Sequence, residues 1–312
     1  MHKLLALGVA SGLFFSTTFV LNRLMSLQGG HWLWTASLRY FFMLALLLVW
    51  FFACGNGRLL GELLRLFYRN LRFWVLAGTI GFGFFYALVS YSASYSPAWV
   101  VAATWQTTIL ATPLVLLGFG KRVPMAALLF SFLIFAGVVL VNVSQVGAAP
   151  PGAILLGALP VLLAAFCYPL GNQLVWEVQN SSHRFLPEIT DPRLNRPFAK
   201  VLLMTLGSIP FWLLLLVVIR PGLPAAGQVM QTAIVALFSG IIATGLFLYA
   251  RQRARNSYEL SAVDATQATE VIFALIGEML FLRTDAPNVW GYVGIVMTVV
   301  GLCLYIRAQA EG

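Results

Sequence analysis

Ten times along the chain, a run of about 20 mostly apolar residues recurs, the length a helix needs to cross the hydrocarbon of a bilayer. The runs lie near 4–27, 32–54, 73–94, 98–119, 124–143, 152–178, 201–219, 229–250, 260–282 and 288–306. Hydrophobic residues fill 60% of the 312 positions and charged residues 9%, against about 25% charged in soluble domains. No single water-soluble core could hide that much apolar surface. The pattern predicts an all-α integral membrane protein with ten transmembrane helices. MHKLLALGVASGLFFSTTFVL has an apolar stretch longer than a signal peptide needs, and a second run follows closely. It is expected to be the first span.

The segments between the runs alternate in charge. One set holds Arg58, Arg65, Arg69 and Arg72, then Lys121 and Arg122, then His183, Arg184, Arg193, Arg196 and Lys200, then Arg251, Arg253 and Arg255. The other set contains only Arg220 and Arg283. With Lys3 and Arg307, fifteen of the nineteen basic residues fall on one side. The positive-inside rule then places both termini in the cytoplasm of a cell (inner) membrane protein. The net charge of +9 follows from this topology, and no basic face is offered to nucleic acid.

Two stretches echo one another about 162 residues apart. In WVVAATWQTTIL and AVDATQATEVI, Val101, Ala103, Thr104 and Thr107 align with Val263, Ala265, Thr266 and Thr269. Each stretch opens the fourth span of a five-span half, and each is followed by a fifth span with a matching glycine, Gly137 or Gly301. The halves, about 1–146 and about 152–312, together form a single transmembrane domain. Because five is odd, the second half is inverted relative to the first. Inverted repeats are a recurring design of secondary transporters, which bind substrate near the midplane and expose it alternately to either side.

The run FFSTTFVLNRL, the arginine-bearing SLRYFFMLALLL and the ending EVIFALIGEMLFL…GYVGIVMTVVGLCLYI resemble the drug/metabolite transporter superfamily, of the ten-helix, EamA-like, multidrug resistance efflux type. The resemblance covers nearly the whole chain. It implies a ten-helix inverted repeat, cytoplasmic termini and a central cavity for small organic solutes. Where the family often has proline in its ninth helix, this chain has Glu270–Val271. Leu282-Arg283-Thr284 stands where Leu-Gly-Glu is common.

The ninth run carries Asp264, Gln267, Glu270 and Glu278, a costly set for hydrocarbon. On an ideal helical wheel of 100° per residue they share one arc of about 120°, which must face protein or water. At about 1.5 Å per residue, Asp264 lies about 6 Å below the basic side, Glu270 about 15 Å deep and Glu278 near the far side. Asp264 is expected to meet Arg251, Arg253 or Arg255 at the interface. Glu278 is expected to pair with Arg23 or Arg39, although Arg23 could also snorkel outward. No basic residue is expected at the depth of Glu270, where desolvation favours the neutral acid. Such a carboxyl can hold a proton or a cationic substrate but not both, and that competition would couple proton entry to cation exit. A neutral acid packed without function is the alternative.

Trp105 and Gln106 occupy the equivalent region of the fourth span, where an aromatic ring could stack on a planar or cationic solute. In CYPLGNQLVWE, Pro169 can kink the sixth helix and brings Tyr168 and Asn172 forward as cavity candidates, with Tyr249 a similar one. Arg39 is either a packing residue or the positive group that a zwitterion's carboxylate would need.

These features predict an exporter of amphipathic or cationic organic compounds, plausibly exchanging them for protons, with amino acids or related metabolites as the alternative cargo. No Gly-x-Ser-x-Gly or His-Glu-x-x-His arrangement points to an intramembrane enzyme. Cys54, Cys167, Cys303 and the scattered His2, His31 and His183 offer no metal-ligand spacing. No cofactor is expected.

Overall fold

The structure, a computed structural model, describes residues 2–121, 125–180, 186–255 and 257–311. Arg122, His183 and Arg184, counted above among the basic segments, lie outside them.

Helices dominate the described residues. They are α1 (His2–Leu27), α2 (Trp32–Ala53), α3 (Gly57–Arg69), α4 (Leu71–Ser92), α5 (Ala98–Gly118), α6 (Met125–Val143), α7 (Pro151–Asn180), α8 (Pro197–Ile219), α9 (Ala226–Arg253), α10 and α11 (Val289–Glu311). α10 starts as Ser257–Ala265, tightens into a 3-10 turn at Thr266–Ala268, resumes at Thr269–Gly277 and ends as π-helix over Glu278–Leu282. Eight of these helices are long and apolar enough to cross a membrane. Among the described side chains, α6 and α11 carry the apolar stretches Phe132–Val143 and Val289–Tyr305. Every backbone N–H and C=O in hydrocarbon must be satisfied within the chain, so helices are the form such apolar runs take. Their outer faces stay apolar: Phe52, Phe132, Val217, Leu280 and Phe281 are all exposed.

One helix was not anticipated. α3 turns Leu60, Leu63 and Phe67 into the core and leaves Arg58, Arg65 and Arg69 outside. Its apolar residues recur every three to four positions, the spacing of one helical face, but the arginines between them masked a helix too polar to span.

Arg193 ties the long segment after α7 back to α3. Its guanidinium donates to Asp191 (Nη2 to Oδ2, 2.7 Å; Nε to Oδ1, 2.8 Å) and to Glu62 (Nη1 to Oε2, 3.0 Å). Those charge-assisted bonds hold the Asp191 carboxyl below the usual carboxylate range.

α6 and α11 pack along one another at backbone distance. A Cβ placed on Gly137 would stand 2.7 Å from Gly294 O and 2.5 Å from Thr298 Oγ1, and one on Gly301 would stand 2.9 Å from Ile134 N. Small residues permit such an approach, and dispersion between close backbones supplies association that lipid cannot.

Two outcomes follow. Gly137→Val should cost about 1–3 kcal/mol by overpacking and lower the unfolding temperature in detergent. Gly118→Val, where a Cβ meets nothing within 4 Å, should lower it less. Separately, the lowered Asp191 carboxyl contributes stability that is present above its unfolded value of about 3.9 and is lost as pH falls through the lower folded value. Hydrogen exchange of 186–196 should therefore quicken only in strong acid, whereas Asp191→Asn should show the fast pattern at neutral pH.

Candidate functional site

The centre is built from aromatic rings on three helices. Phe85 of α4 lies 4.8 Å from Trp105 of α5 and 5.1 Å from Tyr168 of α7, and Trp105 and Tyr168 meet edge to face at 5.7 Å. Tyr168 stands within electrostatic reach of Arg39, Glu270 and Arg251, which come from α2, α10 and α9. Arg39 and Glu270 are themselves buried, yet Tyr168 is 38% exposed. Asn172, one turn further along α7, is exposed beside it and donates to Tyr168 O at 3.1 Å.

Glu270 is 5% exposed. Among the described residues it makes no salt bridge and no hydrogen bond through its carboxyl. It sits in the first turn after the 3-10 interruption of α10. The interruption has a counterpart in α5, where Gln106 N and Thr107 N donate to Ala103 O and Thr104 O, each at 3.1 Å. Hydroxyls at aligned positions repeat the bond: Thr107 Oγ1 donates to Thr104 O at 2.7 Å, and Thr269 Oγ1 to Thr266 O at 2.6 Å.

Arg39 is 8% exposed and meets no carboxylate among the described residues. Its Nη1 donates to Thr18 Oγ1 at 3.2 Å and its Nη2 to Ser239 Oγ at 3.0 Å, and its guanidinium lies 4.1 Å above the Tyr86 ring. Thr18 also donates to Ser239 at 2.7 Å, and Tyr86 OH to Asn22 Oδ1 at 3.1 Å. Arg39 Nε and Asn22 Nδ2 are buried without partners. Thr18, Asn22, Tyr86 and Ser239 were not singled out from the sequence. Thr18 and Asn22 stand in the STTFVLN stretch of the first run, whose polar residues were the available signal.

The remaining candidates have partners of their own or face elsewhere. Asp264 meets Arg251 at 3.4 Å, both partly exposed, as expected of an interfacial pair. Glu278 is 1% exposed and caps another helix: its Oε2 accepts from Trp99 N at 3.1 Å. Arg23 reaches it only electrostatically and donates instead to Ala93 O at 3.0 Å. Gln106 is buried, with Nε2 turned to Ala102 O of its own helix at 3.5 Å, and Gln267 is half-buried. Tyr249 is exposed under Arg253, whose guanidinium lies 5.0 Å from its ring.

A helical protein with eight helices long and apolar enough to cross a membrane, and with charged groups buried among them, has the build of a polytopic membrane protein. Comparison with known proteins gives the family. Residues 2–311 match the multidrug resistance efflux transporter family EmrE, and the chain belongs to it. It is 37% identical to the uncharacterized protein YjlA of Bacillus subtilis (strain 168), over 98% of this chain and 95% of that one. It is 36% identical to an uncharacterized 42.1 kDa protein of Shouchella clausii, over 93% of this chain and 77% of that one. A solved crystal structure superposes with a TM-score of 0.65 at 14% identity, covering 100% of this chain and 99% of the other. That last likeness is one of fold alone.

The geometry assigns Glu278 a structural effect that can be measured. Glu278→Ala removes an acceptor from the first turn of α5 and should cost about 0.5–2 kcal/mol, as loss of a cap does. Glu278→Gln, which keeps an acceptor oxygen, should cost less in the same thermal unfolding assay.

Proposed function

We propose that this transporter exports small amphipathic or cationic organic compounds by alternating access, in exchange for protons, with Glu270 as the shared site. The observation that carries the reading is the Glu270 carboxyl, buried beside the aromatic centre without a counter-charge from any described residue. A buried carboxylate is costly unless paired or protonated. A proton or a cationic substrate supplies that compensation, and each excludes the other. Trp105 and Tyr168 offer ring faces to a cation, which are worth about 2 kcal/mol or more when desolvated.

In the same proposal the ten helices form two inverted five-helix repeats, about 1–146 and about 152–312, with both termini cytoplasmic. Several observations support it. The aligned threonines bond alike in α5 and α10. π-Helical segments recur in α4 (Thr79–Phe84) and α9 (Ala236–Ala243), the third spans of the two halves. Gly137 against Thr298 and Gly301 against Ile134 are the same contact read in both directions at a common offset.

Arg39 favours a second reading. A buried guanidinium held only by hydroxyls and a ring keeps donor capacity for a carboxylate, whose two oxygens match its planar fork. A zwitterionic metabolite would then lie with its ammonium toward Glu270 and its carboxylate toward Arg39.

Thermal unfolding of wild type and Glu270→Gln with organic cations and amino acids, at about pH 5.5 and about pH 8.5, separates the readings, since a carboxylate binds cations only when deprotonated. A ligand at one hundred times its dissociation constant adds about 2.7 kcal/mol. Cations should stabilise wild type more at the higher pH, and the variant should lose that dependence. Equal stabilisation of the variant by cations at both pH values would remove Glu270 from the mechanism. Stabilisation by amino acids but not by their esters, abolished in Arg39→Gln, would select the second reading.

A further inference from the structure

We propose that the cleft where α3 meets α4 binds the headgroup of an anionic phospholipid. A cavity of about 520 Å³ opens there, with Arg69 and Arg72 on its walls and Pro187 of the segment after α7 opposite. Both arginines are exposed. Neither makes an ion pair with a described carboxylate. The one acidic residue of α3, Glu62, is taken by Arg58 and Arg193.

The backbone contributes to the same place. Asn70, at the N-cap of α4, makes no side-chain bond to the first turn of that helix and turns its amide to Leu66 O instead. The positive end of α4 is therefore left without a side-chain acceptor beside the two guanidiniums. Amides of a helix N-terminus and arginine forks are both suited to a phosphate.

The position of the cleft decides between a soluble phosphate and a lipid. Arg72 stands at the start of a membrane-crossing helix, and one turn further in Leu76 is 50% exposed, below the exposed Leu71 and Tyr68. A free anion would use the arginines and leave that apolar track bare, whereas a phospholipid occupies both at once. Basic pockets at the boundary between a span and its basic loop hold anionic headgroups for this reason. A headgroup of net negative charge suits two unpaired guanidiniums better than a zwitterionic one with the same phosphodiester.

The test titrates the full chain, in uncharged detergent, with short-chain phosphatidylglycerol, phosphatidylcholine of the same chain length, or inorganic phosphate. Thermal unfolding gives the apparent affinity. Phosphatidylglycerol should stabilise saturably, phosphatidylcholine weakly and phosphate not at all. Arg69→Gln with Arg72→Gln should weaken the phosphatidylglycerol response roughly 30-fold, about fivefold for each charge. Arg253→Gln with Arg255→Gln, an equal loss of charge elsewhere, should leave it within about threefold. If the glutamine pair does not fold, Arg69→Lys with Arg72→Lys keeps the charge but loses the fork, and an intermediate loss is expected. Equal weakening by the control pair would show diffuse surface charge. Equal stabilisation by phosphatidylcholine or by phosphate, or no change in the cleft variants, would equally overturn the site.

Discussion

A charge taken out of water into a bilayer must find its compensation within the protein, and the central helices of this chain are arranged around how each charge meets that demand. Asp264 has an arginine within ion-pair distance. Glu278 has a backbone amide at the start of α5. Arg39 has two hydroxyls and the face of Tyr86. Glu270 has none of these among the described residues. The series runs from groups with a partner in the fold to one without, and it is this contrast that sets Glu270 apart as the proposed working site.

The helices near the centre depart from regular α geometry. α5 and α10 tighten to 3-10 turns beside Trp105 and Glu270, while α4 and α9 loosen to π-helix. Both departures change the angular bearing of side chains further along, and they concentrate at functional or strained positions in helical proteins. The threonine hydroxyls that bond back three residues at 107 and 269 take part in the tightened turns. Alanine- and threonine-rich sequence at these two places therefore has a structural consequence beyond small size.

Most of the helical layout was legible because a single quantity, apolar length, decides what can cross a bilayer. The helix ends in the structure lie within a few residues of the runs read from sequence. What that quantity could not show was α3, whose arginines hide an amphipathic face. An ideal helical wheel also does not carry across Thr266–Ala268, where the turn tightens. The pairing of Asp264 with Arg251 was legible from the arginines in and just after the last turn of α9. The partner of Glu278 was not, because its donor is a backbone amide of α5, and backbone groups are anonymous in a sequence. The hydroxyl cage of Arg39 was hidden for a related reason: Thr18 and Ser239 are 221 residues apart, and only the fold makes them neighbours.

The two ends of the bundle are held by interactions of different kinds. At the end opposite the basic segments, Glu278 is buried and engages a backbone amide, so releasing it would strand a desolvated carboxylate. At the basic end the ties include Arg251 to Asp264 at 3.4 Å and Lys121 to Glu177 at 3.1 Å, beside those of Arg193 to Glu62 and Asp191. The first has both side chains partly exposed, and the second joins a half-buried lysine to a buried glutamate. A partly solvated pair such as Arg251–Asp264 contributes about 0–1 kcal/mol, because water replaces the lost partner, whereas the buried Glu177 would be left desolvated without Lys121. Arg251 is also the group that links this end to Tyr168, the one aromatic residue of the centre with a broad open side.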